Sequence, residues 1–116
     1  MQHMAWASVK KEVMNEKLSR RFVTGEKLTV AQISLAKGCA VPPHQHANEQ
    51  ICCLLQGAIK FDVGGQEVLV NAGDVLVIPP NVPHSVMLAL EDSLAMDIFS
   101  PIRQDWLDGD DSYLRK

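Results

Sequence analysis

The sequence has little that would suit it to nucleic acid or to a membrane. Its net charge is −3 at pH 7, so it lacks the basic surface expected of a protein that binds nucleic acid or anionic lipid. No apolar run reaches the length of a membrane span or of a signal peptide, and residues 1–17 mix charged and amide side chains with apolar ones. We therefore expect a cytoplasmic protein with no nucleic acid or membrane partner.

Cysteine is also scarce. Cys39, Cys52 and Cys53 are odd in number and two of them are adjacent, which argues against a disulfide framework and favours a reducing compartment. Cys52 shares the sequence parity of a histidine cluster described below and could line the same cavity. A small buried side chain is the favoured interpretation, and neither Cys52 nor Cys53 is assigned as a ligand or nucleophile.

Aromatic residues make up only 5% of the chain, whereas hydrophobic residues make up 47%. This composition indicates a compact fold with an aliphatic core rather than a disordered chain. A length of 116 residues is enough for one core but not for two. Repeats and low-complexity linkers are also missing, so we expect a single domain over residues 1–116.

Glycine, proline and asparagine divide the chain into short runs of strand length. These runs are residues 27–35, 51–55, 58–63, 66–70, 75–78, 85–90 and 94–99. Gly64 and Gly65 supply the positive φ of a tight hairpin turn. Before residue 100, only residues 9–18 could form an amphipathic helix. The pattern predicts an all-β sandwich or barrel with a core at about residues 20–99, and a polar tail over 100–116 in which residues 103–107 form one helical turn.

Histidines mark the candidate functional site. His44, His46 and Gln50 have the same parity, so on one regular strand their side chains would share a face. A metal site needs further ligands from another strand, and His84 is the obvious candidate. Two imidazoles on a strand are also compatible with surface or hydrogen-bonded core histidines. The addition of His84 makes a metal site the favoured interpretation.

Two other residues bear on this assignment. Glu49 has odd parity and should point outward, unless a bulge reverses the strand and makes Glu49 rather than Gln50 the ligand. His3 is isolated near the N-terminus and is interpreted as unrelated.

The spacing of these residues resembles two motifs of the cupin superfamily. Gly38, His44, His46, Gln50 and Gly57 match the first motif, with Gln50 where glutamate is usual. The second motif is matched by Gly73, Pro79, Asn81 and His84, but Asn81 replaces a glycine and Leu88 replaces an asparagine. The resemblance covers residues 28–99. It implies a cupin jelly-roll barrel, a double-stranded β-helix, that holds one divalent transition metal.

A narrower resemblance comes from the sequence DIFSPIRQDWL at residues 97–107, which is similar to the tail of KdgF-type cupins associated with pectin and alginate breakdown. That resemblance implies ring opening of 4,5-unsaturated monouronates to 5-keto-4-deoxyuronate, with Asp97, Phe99 and Arg103 in the active site. A small anionic sugar would then be the substrate. The ligand set accepts nickel, zinc, manganese or iron and does not distinguish among them.

The residue chemistry is compatible with these roles. Asp97 could exchange protons with the substrate, Phe99 could pack against the sugar ring, and Arg103 could form a bidentate pair with a carboxylate. Each residue also has a structural interpretation: Asp97 pairing with a surface lysine, Phe99 in the core, and Arg103 anchoring the tail. Trp106 is interpreted as tail packing, at a dimer contact or within the chain, rather than as a stacking platform for substrate.

Two other functions stay open at this point. One is an Fe(II)-dependent dioxygenase, which Gln50 in place of a carboxylate makes less suitable without excluding it. The other is a non-catalytic sugar-binding or metal-binding cupin, because a fold alone does not specify chemistry. By analogy with small cupins that cover exposed sheet edges, we expect a homodimer.

Overall fold

The computed structural model describes residues 1–115 and consists mainly of β-strands in two antiparallel sheets. The strands of the described chain are β1 (Glu12–Asn15), β2 (Leu18–Thr24), β3 (Thr29–Leu35), β4 (Val41–His44), β5 (Glu49–Gln56), β6 (Ala58–Val63), β7 (Gln66–Asn71), β8 (Val75–Ile78), β9 (His84–Ala89) and β10 (Ser93–Ser100). One sheet has six strands in the order β1-β2-β3-β10-β5-β8, and the other has four in the order β4-β9-β6-β7. The all-β prediction is confirmed.

Alternation along the strands places the core between the two sheets. In β5, Cys52 and Leu54 are buried, whereas their neighbour Leu55 is exposed. Ile59 and Phe61 of β6 are buried in the same core cluster as Leu54, so side chains of both sheets meet there. This period of two is the pattern expected for strands with one face toward a core and one toward solvent.

Each of the seven runs predicted as a strand corresponds to a strand of the structure, with ends that differ by at most two residues. The hairpin at Gly64 and Gly65 is confirmed, since β6 pairs with β7 across it and both glycines have positive φ. Strands β1, β2 and β4 were not predicted. The strands therefore extend from Glu12 to Ser100, beyond the expected start near residue 20.

The helix considered for residues 9–18 is wrong, because β1 and a turn occupy that segment. Met14 is buried and Val13 is exposed, and the Asn15 side chain accepts a hydrogen bond from the Lys17 amide N at 2.9 Å. Such a side-chain turn ends the strand, after which β2 pairs back on β1. Pairing with β2 thus overrides a local pattern that was also compatible with a helix.

The tail folds back against the strands. A helical turn, α1 (Gln104–Leu107), confirms the turn predicted at residues 103–107, and a 3-10 turn follows at Ser112–Arg115. The amide N of Arg103 donates to Thr29 Oγ1 at 3.0 Å, and Asn48 Nδ2 donates to the Pro101 carbonyl oxygen at 2.6 Å. Buried Asp111 pairs with buried Arg20 of β2. These contacts fix the tail as part of the barrel wall.

Gly57 joins β5 of one sheet to β6 of the other, and its φ of +91° is one that side-chain-bearing residues rarely adopt. A Cβ there would overlap Ser93 Oγ and lie 2.6 Å from the Asp92 carbonyl oxygen and 2.8 Å from Ser93 Cα. Gly73 has a similar φ of +93°, but a Cβ there would meet nothing within 4 Å. Substitutions at the two glycines can therefore distinguish the cost of backbone strain from the cost of steric overlap.

We expect Gly73→Ala to lower the free energy of unfolding by about 1–2 kcal/mol through backbone strain alone. Gly57→Ala should lower it by more, about 3 kcal/mol or above, because the overlapped atoms include backbone. Urea denaturation of both variants measures the difference. Equal losses would show that the segment around Ser93 gives way and that Gly57 is required only for its φ.

Candidate metal centre and its cavity

Three histidines from separate parts of the chain converge. His44 ends β4, His84 begins β9 directly opposite it, and His46 lies in the loop before β5. The ring centroids of His44 and His84 are 4.3 Å apart, and those of His46 and His84 are 4.9 Å apart. One ligand atom from each imidazole lies within 4.8 Å of the other two. This spacing is suited to a single metal ion.

Backbone carbonyls orient all three rings in the same way. The Nδ1–H group of His44 donates to the Pro42 carbonyl oxygen at 2.8 Å, and that of His84 donates to the Val82 carbonyl oxygen at 2.8 Å. His46 Nδ1–H donates to the Asn48 carbonyl oxygen at 3.0 Å. Because Nδ1 carries the proton, each Nε2 retains its lone pair, as histidine ligands of metals require.

Two observations show that the residues present fit a cation. The Nε2 atom of His84 is buried and has no hydrogen-bond partner in the described part of the chain. Gln50 Oε1 lies 3.2 Å from His46 Nε2, so with Nδ1 protonated two lone pairs face each other. A positive ion between such atoms would satisfy all of them. Glu49 is exposed, in agreement with its predicted outward direction, whereas Gln50 is buried at 7% exposure.

The expectation that His44, His46 and Gln50 project from one strand is wrong. β4 belongs to the four-stranded sheet and β5 to the six-stranded sheet, so residues 45–48 carry the chain from one sheet to the other. Parity has no meaning across that break. The residues meet because the two sheets face each other, and the pairing of β4 with β9 brings His84 to the same place.

Burial keeps the imidazoles neutral in the absence of an ion. Desolvation lowers the pKa of His44 to about 4, although its hydrogen bond to the Pro42 carbonyl opposes this. Desolvation, aided by the positive charge of Arg103, also lowers the pKa of His46 to about 4. The pKa of His84 is lowered for the same first reason. At neutral pH the Nε2 atom of each ring is therefore unprotonated, so no proton competes there with a cation.

A cavity of about 670 Å³, including its opening to solvent, extends from this cluster toward the tail. His44, Gln50 and His84 line it. The other polar or aromatic residues of its lining include Arg20, Asp97, Phe99, Arg103, Trp106 and Tyr113.

Asp97 of β10 faces this cavity from the strand next to β5 and lies opposite Cys52 in the pairing. Its Oδ1 atom is inaccessible to solvent and has no hydrogen-bond partner in the part of the chain described. Burial raises the pKa of Asp97 to about 6, against the opposing effects of Cys52, Arg103 and Gln50. Asp97 is thus a half-buried cavity residue able to gain or lose a proton near neutral pH, and the interpretation as a partner of a surface lysine is wrong.

Cys52 is a small buried side chain that lines the cavity beside Asp97, as its shared parity with Gln50 on β5 predicted. Burial and the neighbouring Asp97 raise the pKa of its thiol, so Cys52 remains protonated. A protonated thiol is a poor nucleophile and a poor ligand.

Phe99 is 2% exposed, and its ring lies between His46 and the tail. Its ring centroid lies 5.8 Å from that of His46 and 5.1 Å from that of Trp106. The interpretation of Trp106 as packing within the tail region is confirmed, since it also meets Phe22 at 5.3 Å.

Arg103 lies in the cavity wall, but its bidentate partner is within the chain. Nε donates to Asp105 Oδ1 at 3.0 Å and Nη2 donates to Asp105 Oδ2 at 2.8 Å. Nη2 also donates to the Tyr113 hydroxyl at 2.7 Å. The expected bidentate pair with a substrate carboxylate is therefore incompatible with this arrangement. Nη1 makes no hydrogen bond within residues 1–115 and is the nitrogen left for a ligand.

Arg20 and Tyr113 are cavity residues that sequence reasoning missed. Tyr113 stacks on His44 with a centroid separation of 4.5 Å and an interplanar angle of 29°. Arg20 is 2% exposed, although arginine is rarely so buried. Arg20 lies two residues after the buried Leu18, on the same face of β2, and this spacing was a usable signal. The strand β2 itself was not recognised. Tyr113 lies in the tail, where no motif marked it.

No helix within residues 1–115 is long and apolar enough to span a membrane.

Comparisons with known proteins agree on one family. The family model for the cupin domain, Cupin_2, matches residues 31–98. The pectin degradation protein KdgF of Dickeya dadantii (strain 3937) is 29% identical over 98 residues, which cover 83% of this chain and 89% of that protein.

Two solved structures are similar over nearly their whole lengths. KdgF from Halomonas sp. has a TM-score of 0.84 and 28% identity, covering 91% of this chain and 98% of that one. An RmlC-like cupin from Shewanella frigidimarina NCIMB 400 has a TM-score of 0.83 and 25% identity, covering 91% and 96%. These similarities confirm the predicted jelly-roll barrel.

Adding nickel or zinc to the metal-free protein should raise its melting temperature, because a ligand that binds only the folded state stabilises it. The gain is about 2.7 kcal/mol at a hundredfold excess over Kd. We expect His84→Ala to lose most of this gain and His3→Ala, at an exposed position, to keep it. Differential scanning fluorimetry measures the shifts. A full shift in His84→Ala would rule out the three-histidine site.

In chelator-treated protein, we expect Asp97→Asn to be more stable than the wild type near neutral pH. Since the folded-state pKa of about 6 is raised, ionisation of Asp97 destabilises the fold as the pH rises from about 4 through 6. The stability gap in favour of the variant should grow by roughly 1–3 kcal/mol over this range. The histidine contributions are common to both proteins and cancel in the difference.

Denaturation at several pH values measures this gap. Glu49→Gln, at an exposed position on β5, provides the control and should show a gap that does not change with pH. A constant gap for Asp97→Asn would show that Asp97 is already well solvated.

Proposed function

This chain belongs to the cupin family, because the cupin domain model covers more than half of it, and on that premise we propose a metal-dependent enzyme of pectin breakdown that opens 4,5-unsaturated monouronate rings. The observation that carries the proposal is a triad of lone-pair-bearing imidazoles, two of which line a cavity together with a carboxyl group of raised pKa. The pectin degradation protein KdgF of Dickeya dadantii is similar over most of the chain, which supports the same class of substrate.

His44, His46, His84 and the Gln50 amide oxygen are the residues that would hold the metal. All four are neutral donors, so a bound divalent ion keeps its full charge and supplies Lewis-acid polarisation and attraction for an anionic sugar. A glutamate at position 50 would cancel part of that charge. The neutral ligand set therefore favours a substrate that carries its own carboxylate.

The proposed reaction is an isomerisation that needs no oxidant, reductant or water. The anomeric hydroxyl loses its proton, the bond between C1 and the ring oxygen breaks, and C1 becomes an aldehyde. The electron pair of the broken bond goes to the ring oxygen, which leaves an enolate across C4 and C5. Protonation at C4 then gives the 5-keto-4-deoxyuronate, and the atoms of substrate and product are the same.

Asp97 is the residue we assign to proton transfer. Its pKa of about 6 lets it accept the anomeric proton and return one to carbon at neutral pH, and it adjoins the ligand Gln50. Because Oδ1 has no protein partner, it is available to a substrate hydroxyl. The fixed position of Asp97 on β10 keeps the proton-transfer group aligned with the histidines.

Phe99 and Arg103 orient the substrate in this proposal. The buried Phe99 ring offers an apolar surface for a sugar ring next to His46. Asp105 holds the guanidinium of Arg103 in one orientation, so that Nη1 can donate a single hydrogen bond to a substrate oxygen. Tyr113 excludes water from the side of His44 on which it stacks.

Metal-loaded protein should accelerate the loss of the enol-ether absorbance of 4,5-unsaturated galacturonate. We expect His46→Ala to abolish the acceleration and Asp97→Asn to lower kcat by about a hundredfold or more, since general acid–base catalysis contributes about 10²–10⁴-fold. Glu49→Gln should react at the wild-type rate because Glu49 points to solvent. The measurement is a continuous absorbance assay with product identified by NMR.

Failure to accelerate the reaction with a demonstrably occupied site would refute ring opening. Oxygen consumption with the same sugar would then point to an oxidative cupin. Sugar binding without turnover would point to a binding protein.

A further inference from the structure

The wall of the cavity formed by β2 and the tail contains buried N–H groups that have no acceptor. Arg20 Nε, Arg20 Nη1 and Trp106 Nε1 are all inaccessible to solvent and lack a hydrogen-bond partner within residues 1–115. Both side chains line the same cavity as His44 and Asp97. Each unsatisfied buried donor costs about 1–3 kcal/mol, so a concentration of three in one wall calls for a physical explanation.

Local carboxylates do not use up these donors. Asp111 pairs with Arg20 through Nη2, but it also accepts from Arg115 Nε at 3.3 Å. Glu12 Oε1 lies 3.5 Å from Arg20 Nε, too far for a good hydrogen bond, and its other oxygen lies 3.4 Å from Arg115 Nη2. Two carboxylates are therefore shared by two guanidinium groups. Arg20 is held in place by charge and still presents Nη1 without a partner.

The orphaned donors belong to one small region. Arg20 Cζ lies 4.2 Å from the centroid of the Trp106 ring, and Arg103 Cζ lies 4.5 Å from it. The region thus combines two guanidinium groups with an indole N–H, and its buried unpartnered atoms within residues 1–115 are all donors. Oxygen atoms of an anion are the complement to such a set.

One aromatic ring, that of Phe99, separates this donor region from His46 of the candidate metal centre. Phe99 contacts His46 on one side and Trp106 on the other, so a ligand of sugar size that packs on Phe99 could reach both ends. The bidentate face of Arg103 is already occupied by Asp105. Arg20 is the guanidinium that remains better able to receive a carboxylate.

We propose that Arg20 and Trp106 form the subsite that binds the substrate carboxylate and so select acidic sugars over neutral ones. This assignment rests on the proposed function for the class of substrate, but the donor set is independent of the metal. Arg20 Nη1 and Trp106 Nε1 donate to the carboxylate oxygens, while Asp111 holds the guanidinium through Nη2. The two residues act in binding and take no part in proton transfer.

Binding of galacturonate, a saturated acid that cannot undergo the reaction, tests the subsite without any catalysis. Isothermal calorimetry with galacturonate and with galactose, in metal-loaded and in chelator-treated protein, separates the carboxylate from the rest of the sugar. We expect the wild type to prefer galacturonate in both states. Arg20→Lys and Trp106→Phe should each weaken galacturonate binding by tenfold or more and leave galactose binding unchanged, because each loses a hydrogen bond to a charged group.

The variants have matched controls. Arg20→Lys retains a cation for Asp111, and Trp106→Phe retains an aromatic ring among Phe22 and Phe99, so both should fold; thermal melts check this. Arg21→Lys and Trp6→Phe make the same substitutions outside the cavity lining and should bind galacturonate as the wild type does.

The outcomes distinguish the subsite from the proposed function. Galacturonate binding that depends on Arg20 and Trp106, without turnover of the unsaturated sugar, would retain the subsite and refute ring opening. Normal turnover with unchanged KM and unchanged galacturonate affinity in both variants would overturn the subsite and leave ring opening standing. That second result would mean that the donors meet only ordered water.

Discussion

The candidate site depends on backbone carbonyls that hold three imidazole rings by their Nδ1–H groups. In His44 and His84 the carbonyl belongs to the residue two positions earlier, and in His46 to the residue two positions later. Each such bond fixes both the tautomer and the direction of the ring, and therefore the direction of the Nε2 lone pair. The strand pairing between β4 and β9 then sets the distance between two of the rings.

Charge in the cavity is organised around this neutral centre. Desolvation keeps the histidines unprotonated, and Gln50 adds an amide oxygen without adding a charge. Cationic groups lie in the wall toward the tail, where Arg20 is held by Asp111 and Arg103 by Asp105. With a divalent ion held by the histidines, an anion entering the cavity would meet positive charge at both ends. Among residues 1–115, Asp97 is the single acid that lines the space between them, and desolvation raises its pKa to about 6.

Much of the fold could be predicted from local patterns. Glycine turns and alternating runs located seven strands, and the spacing around His44, His46 and His84 located the candidate ligands. The misses arose where distant pairing decides the outcome. Residues 9–18 form β1 and a turn only because β2 pairs with them, and the chain leaves one sheet for the other between His44 and Gln50.

Arg20 and Asp111 are 91 residues apart in sequence, so no local pattern could reveal that their side chains form a buried pair. Local spacing likewise could not show that Asp105 occupies the bidentate face of Arg103.

Trp106 and Tyr113 give the cavity a wall that lies outside the ten described strands. The strands and loop that carry the candidate metal ligands and this wall of the tail are thus separate parts of the chain, joined by contacts such as the Arg20–Asp111 pair and the stacking of Tyr113 on His44. Such a division means that a substitution in the tail can alter the shape of the cavity without altering the strands or the three histidines.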